Sequence, residues 1–134
     1  MPDTTFDIEV IEAGGGEATR ISDGASIYAK GDRGDVAYIV KSGRVRIGNG
    51  VPIEVLEPGE IFGETALIDE APRSAAATAV GPTELIPIDR ATFDVLIRDD
   101  CDFACTVMRL MARRLRLVIG LLEEAPAPAE SHAA

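Results

Sequence analysis

The side chains with the clearest chemistry in this chain lie in one short stretch, FGETALIDEAPRSA at 62–75. Glu64 supplies a carboxylate, and Arg73 supplies a guanidinium nine positions later. A guanidinium can pair with two oxygens of one phosphate, and a carboxylate can accept a hydrogen bond from a sugar hydroxyl. The two residues would therefore suit one small ligand that carries both a phosphate and a sugar.

The segment between these residues is suited to bind an anion through its backbone. Residues 64–67 are expected to form one helical turn, with the free N–H groups of Ala66 and Leu67 pointing outward. Free N–H groups at the start of a helix attract phosphate. Gly63 has no Cβ, so a ligand can approach the backbone closely there. The pattern predicts a site for a cyclic phosphate ester of a sugar.

The composition limits the class of protein. The chain has 134 residues with 46% hydrophobic and 27% charged residues, which is typical of one globular domain. Its net charge of -10 argues against a nucleic-acid or anionic-membrane surface, since phosphate contacts need clustered Lys and Arg. The sequence contains neither an apolar run of membrane-spanning length nor a signal-peptide pattern, so a cytoplasmic location is expected.

The metal-binding residue types are few. Cys101 and Cys105 lie four apart in a helical pattern, and the only histidine is His132. Two small buried side chains are the favoured interpretation, while an intermolecular disulfide or a metal site stays open. We predict no metal and no enzyme activity. A histidine-rich jelly-roll enzyme is the weakest alternative, because its usual ligands are missing from the expected barrel.

Most of the chain up to residue 89 has the pattern of short β-strands. About eight strands are expected, which favours an eight-stranded jelly-roll-like β-roll. Ser42-Gly43 and the Gly-Asn-Gly at 48–50 are both interpreted as hairpin turns. The expected strands lie within 6–13, 17–22, 26–31, 37–41, 44–47, 51–56, 74–80 and 83–89.

Two helices are predicted after the strands. Asp89 can cap a short helix over 90–99, and one of Asp99, Asp100 and Asp102 can begin a long helix that ends near Glu124. Residues 1–124 would form the domain. The Pro/Ala-rich segment 125–134 has too little apolar bulk to fold, so it is expected to be disordered.

The long helix carries two apolar rows, of which one can cover the roll. A second copy of the helix is the simplest cover for the other row, although one wide apolar face on a single core stays open. The arginines of this helix are interpreted as a solvated face. The rows are Met108, Met111, Leu115, Val118 and Leu122, and Phe103, Val107, Leu110, Leu117 and Leu121, and the arginines are Arg109, Arg113, Arg114 and Arg116.

The stretch FGETAL…APRSA resembles the phosphate-binding cassette of the cyclic nucleotide-binding domain family, in which FGE-x-AL is followed by PR and a small residue. That family includes regulatory subunits of cAMP-dependent protein kinase, cyclic nucleotide-gated channels and the catabolite activator protein. IYAKGDRGDVAYIVKSGRVRI at 27–47 resembles the family's strand, Gly-Asp loop and hairpin, and the segments at 89–97 and 111–122 resemble its paired C-terminal helices. The resemblance covers about residues 26–123.

The resemblance implies a role for each residue of the cassette. Glu64 would accept from the ribose 2′-hydroxyl, and Arg73 would pair with the exocyclic phosphate oxygens. The remaining implied residues have supporting roles at the phosphate, the base or the lid. They are Gly63, Thr65, Ala66, Leu67 and Ser74 in the cassette, Ile61, Phe62 and the strand at 75–80 from Ala75 around the base, and Val118 and Ile119 as an apolar lid. Gly34 and Asp35 are interpreted as a structural turn near the cassette.

The resemblance implies a stand-alone receptor for cAMP or cGMP that binds its ligand without catalysis and signals by repositioning its C-terminal helix. Its implied partners are the cyclic nucleotide, an unknown downstream protein and a second copy of the chain, without nucleic acid or membrane. Two alternatives stay open: a ligand-free structural module, and a truncated activator-type transcriptional regulator without its DNA-binding segment. The family's N-terminal helices are expected to be replaced by the strand at 6–13.

Overall fold

Two long antiparallel strands form the centre of the fold, and shorter elements add to them. The computed structural model describes residues 5–14, 17–48 and 54–124. In chain order the elements are α1 (Ile8–Gly14), β1 (Thr19–Ile21), β2 (Ser26–Tyr28), β3 (Val36–Ile47), β4 (Glu54–Leu56), β5 (Ile61–Phe62), α2 (Glu64–Asp69), β6 (Ala77–Asp89), α3 (Arg90–Asp99) and α4 (Cys101–Glu124). Residues 125–134, for which disorder is predicted, lie outside the described ranges.

The described strands form one antiparallel sheet in the order β1-β6-β3-β4, with β2 added to β6 and β5 added to β3. The central pair β3–β6 runs from Val36 opposite Asp89 to Ile47 opposite Ala77. Apolar side chains on the two faces of this pair form two cores. One lies inside the roll around Val40, Leu56, Phe62 and Leu85, and the other lies between the roll and the helices around Ile39, Ile61, Ile88 and Phe103.

The predicted hairpin at Ser42-Gly43 is wrong, because β3 continues through it. The pairing of β3 with β6 shifts in register around Ser42, and Gly43 has a φ of 81°. A Cβ at Gly43 would lie 2.5 Å from the Pro82 carbonyl oxygen, so a glycine is needed where the strands pass closely. The same glycine signal that marks a turn here marks a β-bulge. The strands predicted at 74–80 and 83–89 likewise merge into β6.

The strand predicted at 6–13 is also wrong, since this segment contains the helix α1. Asp7 starts it: its side chain accepts from Glu9 N at 3.1 Å, and its carbonyl accepts from Ile11 N at 3.1 Å. Phe6 and Ile11 are buried, and the Phe6 ring is 5.0 Å from that of Phe103 in α4. The packing against α4 decides in favour of the helix. An N-terminal helix, which we expected to be missing, is therefore present.

The number of strands falls from the predicted eight to six in the described residues. One predicted strand is α1, two predicted pairs merge into β3 and β6, and the two-residue strand β5 was not predicted. The Gly-Asn-Gly hairpin lies largely outside the described residues, although Ile47 and Glu54 on either side of it are paired antiparallel.

Side-chain caps fix the N-termini of the last two helices. Asp89 accepts from Thr92 N at 2.8 Å, as predicted, and among the three candidates for the next helix Asp100 accepts from Phe103 N at 3.0 Å. Both carboxylates satisfy N–H groups that the helices leave free. The sequence therefore predicted the start of α3 and limited the start of α4 to three candidates, among which the structure selects Asp100.

The first half of α4 covers the roll and the second half does not. Phe103, Val107 and Leu110 are buried, whereas large apolar side chains after Arg114 are 45–71% exposed. The single wide apolar face on one core is thus not formed by this chain alone. Cys101 is exposed, against the prediction that both cysteines are buried, and Cys105 is half-buried. Among the described helices, none is long and apolar enough to span a membrane.

Candidate functional site

The cassette begins where β5 ends and α2 starts. Gly63 has a φ of 81°, a left-handed conformation that glycine adopts without strain, and it makes no side-chain cap for α2. The first residue of α2 is Glu64, whose side chain is fully buried. Ala66 and Leu67 are buried on the same short helix, and Thr65 is exposed. The turn predicted at 64–67 is confirmed and extends to Asp69.

Arg73 is fixed against the wall of the roll although it carries a charge. It is 6% exposed, and its guanidinium donates to the Gly63 carbonyl at 2.9 Å and the Val36 carbonyl at 2.6 Å. The guanidinium carbon lies 4.1 Å from the centre of the Tyr28 ring, close enough for a cation–π interaction. The Nε atom of Arg73 is buried and has no partner within the described residues. A phosphate oxygen would supply one.

Two glycines make the space that Arg73 occupies. A Cβ at Gly34 would lie 2.6 Å from Arg73 Nε and 2.7 Å from the Ala66 Cβ. A Cβ at Gly63 would lie 2.6 Å from Arg73 Nη1. Gly34 is therefore more than a structural turn near the cassette, because its missing side chain admits the guanidinium.

Glu64 is paired with an arginine of α4. Arg114 Nη1 donates to Glu64 Oε1, and Arg114 Nη2 donates to the Ile61 carbonyl at 3.3 Å. Burial raises the pKa of Glu64, and the Arg114 charge partly opposes this effect. The second oxygen, Oε2, is buried without a partner in the described part of the chain. Among the described residues, Glu64 forms its ion pair with Arg114 and not with Arg73.

Arg114 is the site residue that the sequence interpretation missed. We assigned it to a solvated face, but its side chain is only 25% exposed and lies between two carboxylates. One signal was present, since Arg114 interrupts an apolar row of the long helix. A cation in such a row faces the domain, so it needs a buried partner. That partner lies fifty positions away, and no local pattern identifies it.

The two tyrosines under the site, Tyr28 and Tyr38, were also not predicted. Tyr28 lies beneath Arg73, and the Phe62 ring is 6.1 Å from Tyr28 and 5.4 Å from Tyr38. Burial raises the pKa of Tyr28 to about 12, so the phenol is neutral at physiological pH. These rings give the guanidinium a rigid, apolar support.

The other predicted site residues fall into three groups. Ile61 and Phe62 are fully buried beneath the cassette. Ser74 is exposed and Ala75 half-buried, and both precede β6, so the expected strand at 75–80 begins later than predicted. Val118 and Ile119 are 53% and 45% exposed in the projecting half of α4. Val118 lies one turn after Arg114 and therefore on the same side of the helix.

The arrangement can bind an anionic sugar phosphate. Within residues 5–14, 17–48 and 54–124, the buried donor Arg73 Nε and the buried acceptor Glu64 Oε2 have no partner. Buried polar groups are normally paired, so two such atoms in one cassette indicate a ligand with both an acceptor and a donor. The described residues contain no group of three or more His, Cys, Asp and Glu that could hold a metal ion.

Comparison with known proteins gives the same family at the level of sequence and fold. Residues 18–100 match the family described as the cyclic nucleotide-binding domain. The cyclic AMP receptor protein of Thermus thermophilus is 42% identical over 99 residues, which cover 69% of this chain and 46% of that protein. The cGMP-dependent protein kinase of Eimeria tenella is 43% identical over 72 residues, which cover 53% of this chain and 7% of that protein.

A solved structure supports the relation. The crystal structure of the Thermus thermophilus catabolite activator protein superimposes with a TM-score of 0.77 at 34% identity, covering 87% of this chain and 57% of that one. The chain spans less than half the length of the bacterial regulators that it matches.

Proposed function

Because the chain belongs to the cyclic nucleotide-binding domain family, we propose that it is a stand-alone receptor that binds cAMP or cGMP without catalysis and signals through α4. One observation carries the proposal: the cassette holds a buried donor, Arg73 Nε, and a buried acceptor, Glu64 Oε2, neither of which has a partner among the described residues. A cyclic nucleotide offers phosphate oxygens to the first and a ribose 2′-hydroxyl to the second.

The remaining cassette residues complete this binding arrangement. The backbone N–H groups of Ala66 and Leu67 assist Arg73 at the phosphate, and Gly63 allows the ligand to approach. Ser74 is exposed next to Arg73, so its hydroxyl is available to the phosphate or the base. Val118 and Ile119 close over the base as an apolar lid.

Arg114 connects ligand binding to α4. Its guanidinium holds α4 to Glu64 and to the Ile61 carbonyl, and the exposed apolar half of the helix begins directly after it. A ribose hydroxyl that bonds to Glu64 changes the hydrogen bonding of the carboxylate that anchors the helix. If the ligand binds one position of α4 more tightly than another, it shifts the population of the protein toward that position.

The exposed half of α4 is the surface through which the signal leaves the domain. Leu115, Leu117, Val118, Leu121 and Leu122 are each more than half exposed. A contiguous apolar surface of this kind is typical of a protein contact. We propose that two copies of the chain form a homodimer interface (the seam) through this surface. An unknown downstream protein would recognise the position of the helix. A cytoplasmic location stays a prediction from the sequence.

A second candidate is the ligand-binding part of an activator-type transcriptional regulator, which the likeness to the Thermus thermophilus protein favours. An electrophoretic mobility shift of the full chain, with and without cyclic nucleotide, tests this candidate. A ligand-dependent shift of duplex DNA would support it. Unshifted DNA would show that this chain does not bind DNA by itself, as expected for the stand-alone receptor and also for a ligand-binding part that lacks its DNA-binding segment.

Isothermal titration calorimetry tests the main proposal. We expect saturable heat with cAMP, cGMP or both, and much weaker heat with 5′-AMP, whose phosphate lacks the ring and carries more charge. No heat with either cyclic nucleotide would overturn the proposal and favour the ligand-free structural module.

A further inference from the structure

Glu54 is a carboxylate on the inward side of the roll. Its strand neighbour Val55 is 45% exposed and the next residue, Leu56, is fully buried. Side chains alternate along a strand, so Glu54 points to the same side as Leu56. Its side chain is only 26% exposed. Leu56 packs in an apolar core, which gives no reason for a carboxylate at position 54.

Arg114 places Glu54 next to the candidate site. Arg114 Nε lies 3.8 Å from Glu54 Oε1, while Nη1 of the same guanidinium donates to Glu64. A separation of 3.8 Å is an ion pair but too long for a hydrogen bond. This contact therefore leaves the lone pairs of Glu54 available to a ligand.

A bound nucleotide would direct its base toward Glu54. The phosphate binds at Arg73 and the sugar at Glu64, and the base continues from the sugar away from the phosphate. Arg114, which pairs with Glu64, also lies 3.8 Å from Glu54 Oε1, so Glu54 is close to the proposed position of the sugar. Val118 lies one turn after Arg114, on the same side of α4.

The chemistry of a carboxylate distinguishes the two purines. An ionised carboxylate accepts hydrogen bonds and donates none. Guanine presents two neighbouring donors, N1–H and the 2-amino group, which match the two carboxylate oxygens. Adenine presents the lone pair of N1 and a single amino group at the corresponding edge. A lone pair facing a carboxylate is repelled, so the same residue binds one base and rejects the other.

We propose that Glu54 reads the base and makes this chain prefer the guanine of cGMP over the adenine of cAMP. The inference rests on the proposed function, which it makes more specific by naming the base. It assigns selectivity to a strand residue outside the cassette, independent of Ser74.

Calorimetry on the full chain with cGMP, cAMP and inosine 3′,5′-cyclic monophosphate tests this proposal. Inosine keeps N1–H but lacks the 2-amino group, so we expect affinity in the order cGMP, cyclic IMP, cAMP. Glu54→Gln replaces one acceptor oxygen by a donor, which suits adenine. We expect the variant to lose roughly ten- to hundredfold in cGMP affinity, with cAMP binding equal to or tighter than in the wild type.

The control is Glu57→Gln, because the Glu57 side chain is 58% exposed and pairs with Arg44 at 3.7 Å. It should leave all three affinities unchanged. Wild-type preference for cAMP, or an equal loss for all three ligands in Glu54→Gln, would overturn the assignment. An equal loss would mean that Glu54 only positions Arg114. Absence of heat with every cyclic nucleotide would instead overturn the proposed function and this inference with it.

Discussion

The guanidinium of Arg114 on α4 donates to the fully buried carboxylate of Glu64 at the start of α2. A buried carboxylate without a cation is strongly disfavoured, so this contact holds the long helix to the cassette. Because Glu64 is also the residue proposed to bind the ribose, ligand binding and helix position involve the same carboxylate. The predictions below test the parts of this arrangement separately.

Arg73→Ala should reduce cyclic nucleotide affinity by about 2–5 kcal/mol, since it removes a partly buried, charge-assisted contact to the phosphate. Arg73→Lys should also weaken binding, because an ammonium cannot pair with two oxygens in the same way. Calorimetry measures both. Arg109→Ala, at an exposed position of α4, is the matched control. Unchanged affinity in a folded Arg73→Ala protein would remove Arg73 from the site.

Glu64→Gln should change how stability depends on pH. Burial raises the folded-state pKa of Glu64 above its ordinary value of 4.5, so the folded protein holds a proton that the unfolded chain has released. The resulting stability is present below pH 4.5 and is lost as pH rises through the folded-state pKa. Relative to the wild type, the variant should therefore gain stability as pH rises.

Urea unfolding between pH 4.5 and about pH 8 measures this difference. The exposed variant Glu57→Gln is the control, and it should follow the wild type. Parallel pH profiles for wild type and Glu64→Gln would mean that Glu64 ionises in the folded protein as it does in the unfolded chain.

Gly34→Ala should destabilise the fold and weaken ligand binding together. The new Cβ would lie 2.6 Å from Arg73 Nε and 2.7 Å from the Ala66 Cβ. Overpacking of this kind costs about 1–3 kcal/mol, and the guanidinium is the group that can move. Gly120→Ala is the control, because a Cβ there meets open space on α4. Thermal unfolding and calorimetry with cAMP and cGMP should separate the two variants. If Gly34→Ala and Gly120→Ala had the same thermal stability and the same ligand affinity, the position of Arg73 would not depend on the space at Gly34.

The double variant Leu117→Glu, Leu121→Glu should prevent self-association. These side chains are 54% and 65% exposed on the projecting half of α4, where two copies would bury them together. Sedimentation velocity with and without ligand measures the effect. Val95→Glu, at an apolar residue of α3 that is 45% exposed, should leave association unchanged. A wild-type chain that sediments as a monomer under both conditions would contradict the proposed seam.

Local signals in the sequence determined the parts of the protein that depend on neighbouring residues. Asp89 and Asp100 cap their helices through N–H groups three residues away, so the local sequence placed the first cap and limited the second to three aspartates. The cassette is equally local: Gly63, the helical turn and Arg73 lie within one stretch, and the Gly63 carbonyl accepts from Arg73. Family resemblance therefore predicted the candidate ligand and most of the residues of the candidate site.

Tertiary packing decided what local signals left ambiguous. The segment at 6–13 was predicted as a strand from its alternating pattern. Burial of Phe6 and Ile11 against α4 makes it a helix. Gly43 fits a turn or a bulge, and the unbroken partner strand β6 makes it a bulge. Arg114 is the clearest case, because its partners Glu64 and Glu54 come from elements that meet α4 only in the folded roll. A charged side chain buried between elements that are distant in the sequence produces no periodic pattern, so only the folded structure could assign Arg114 to the site.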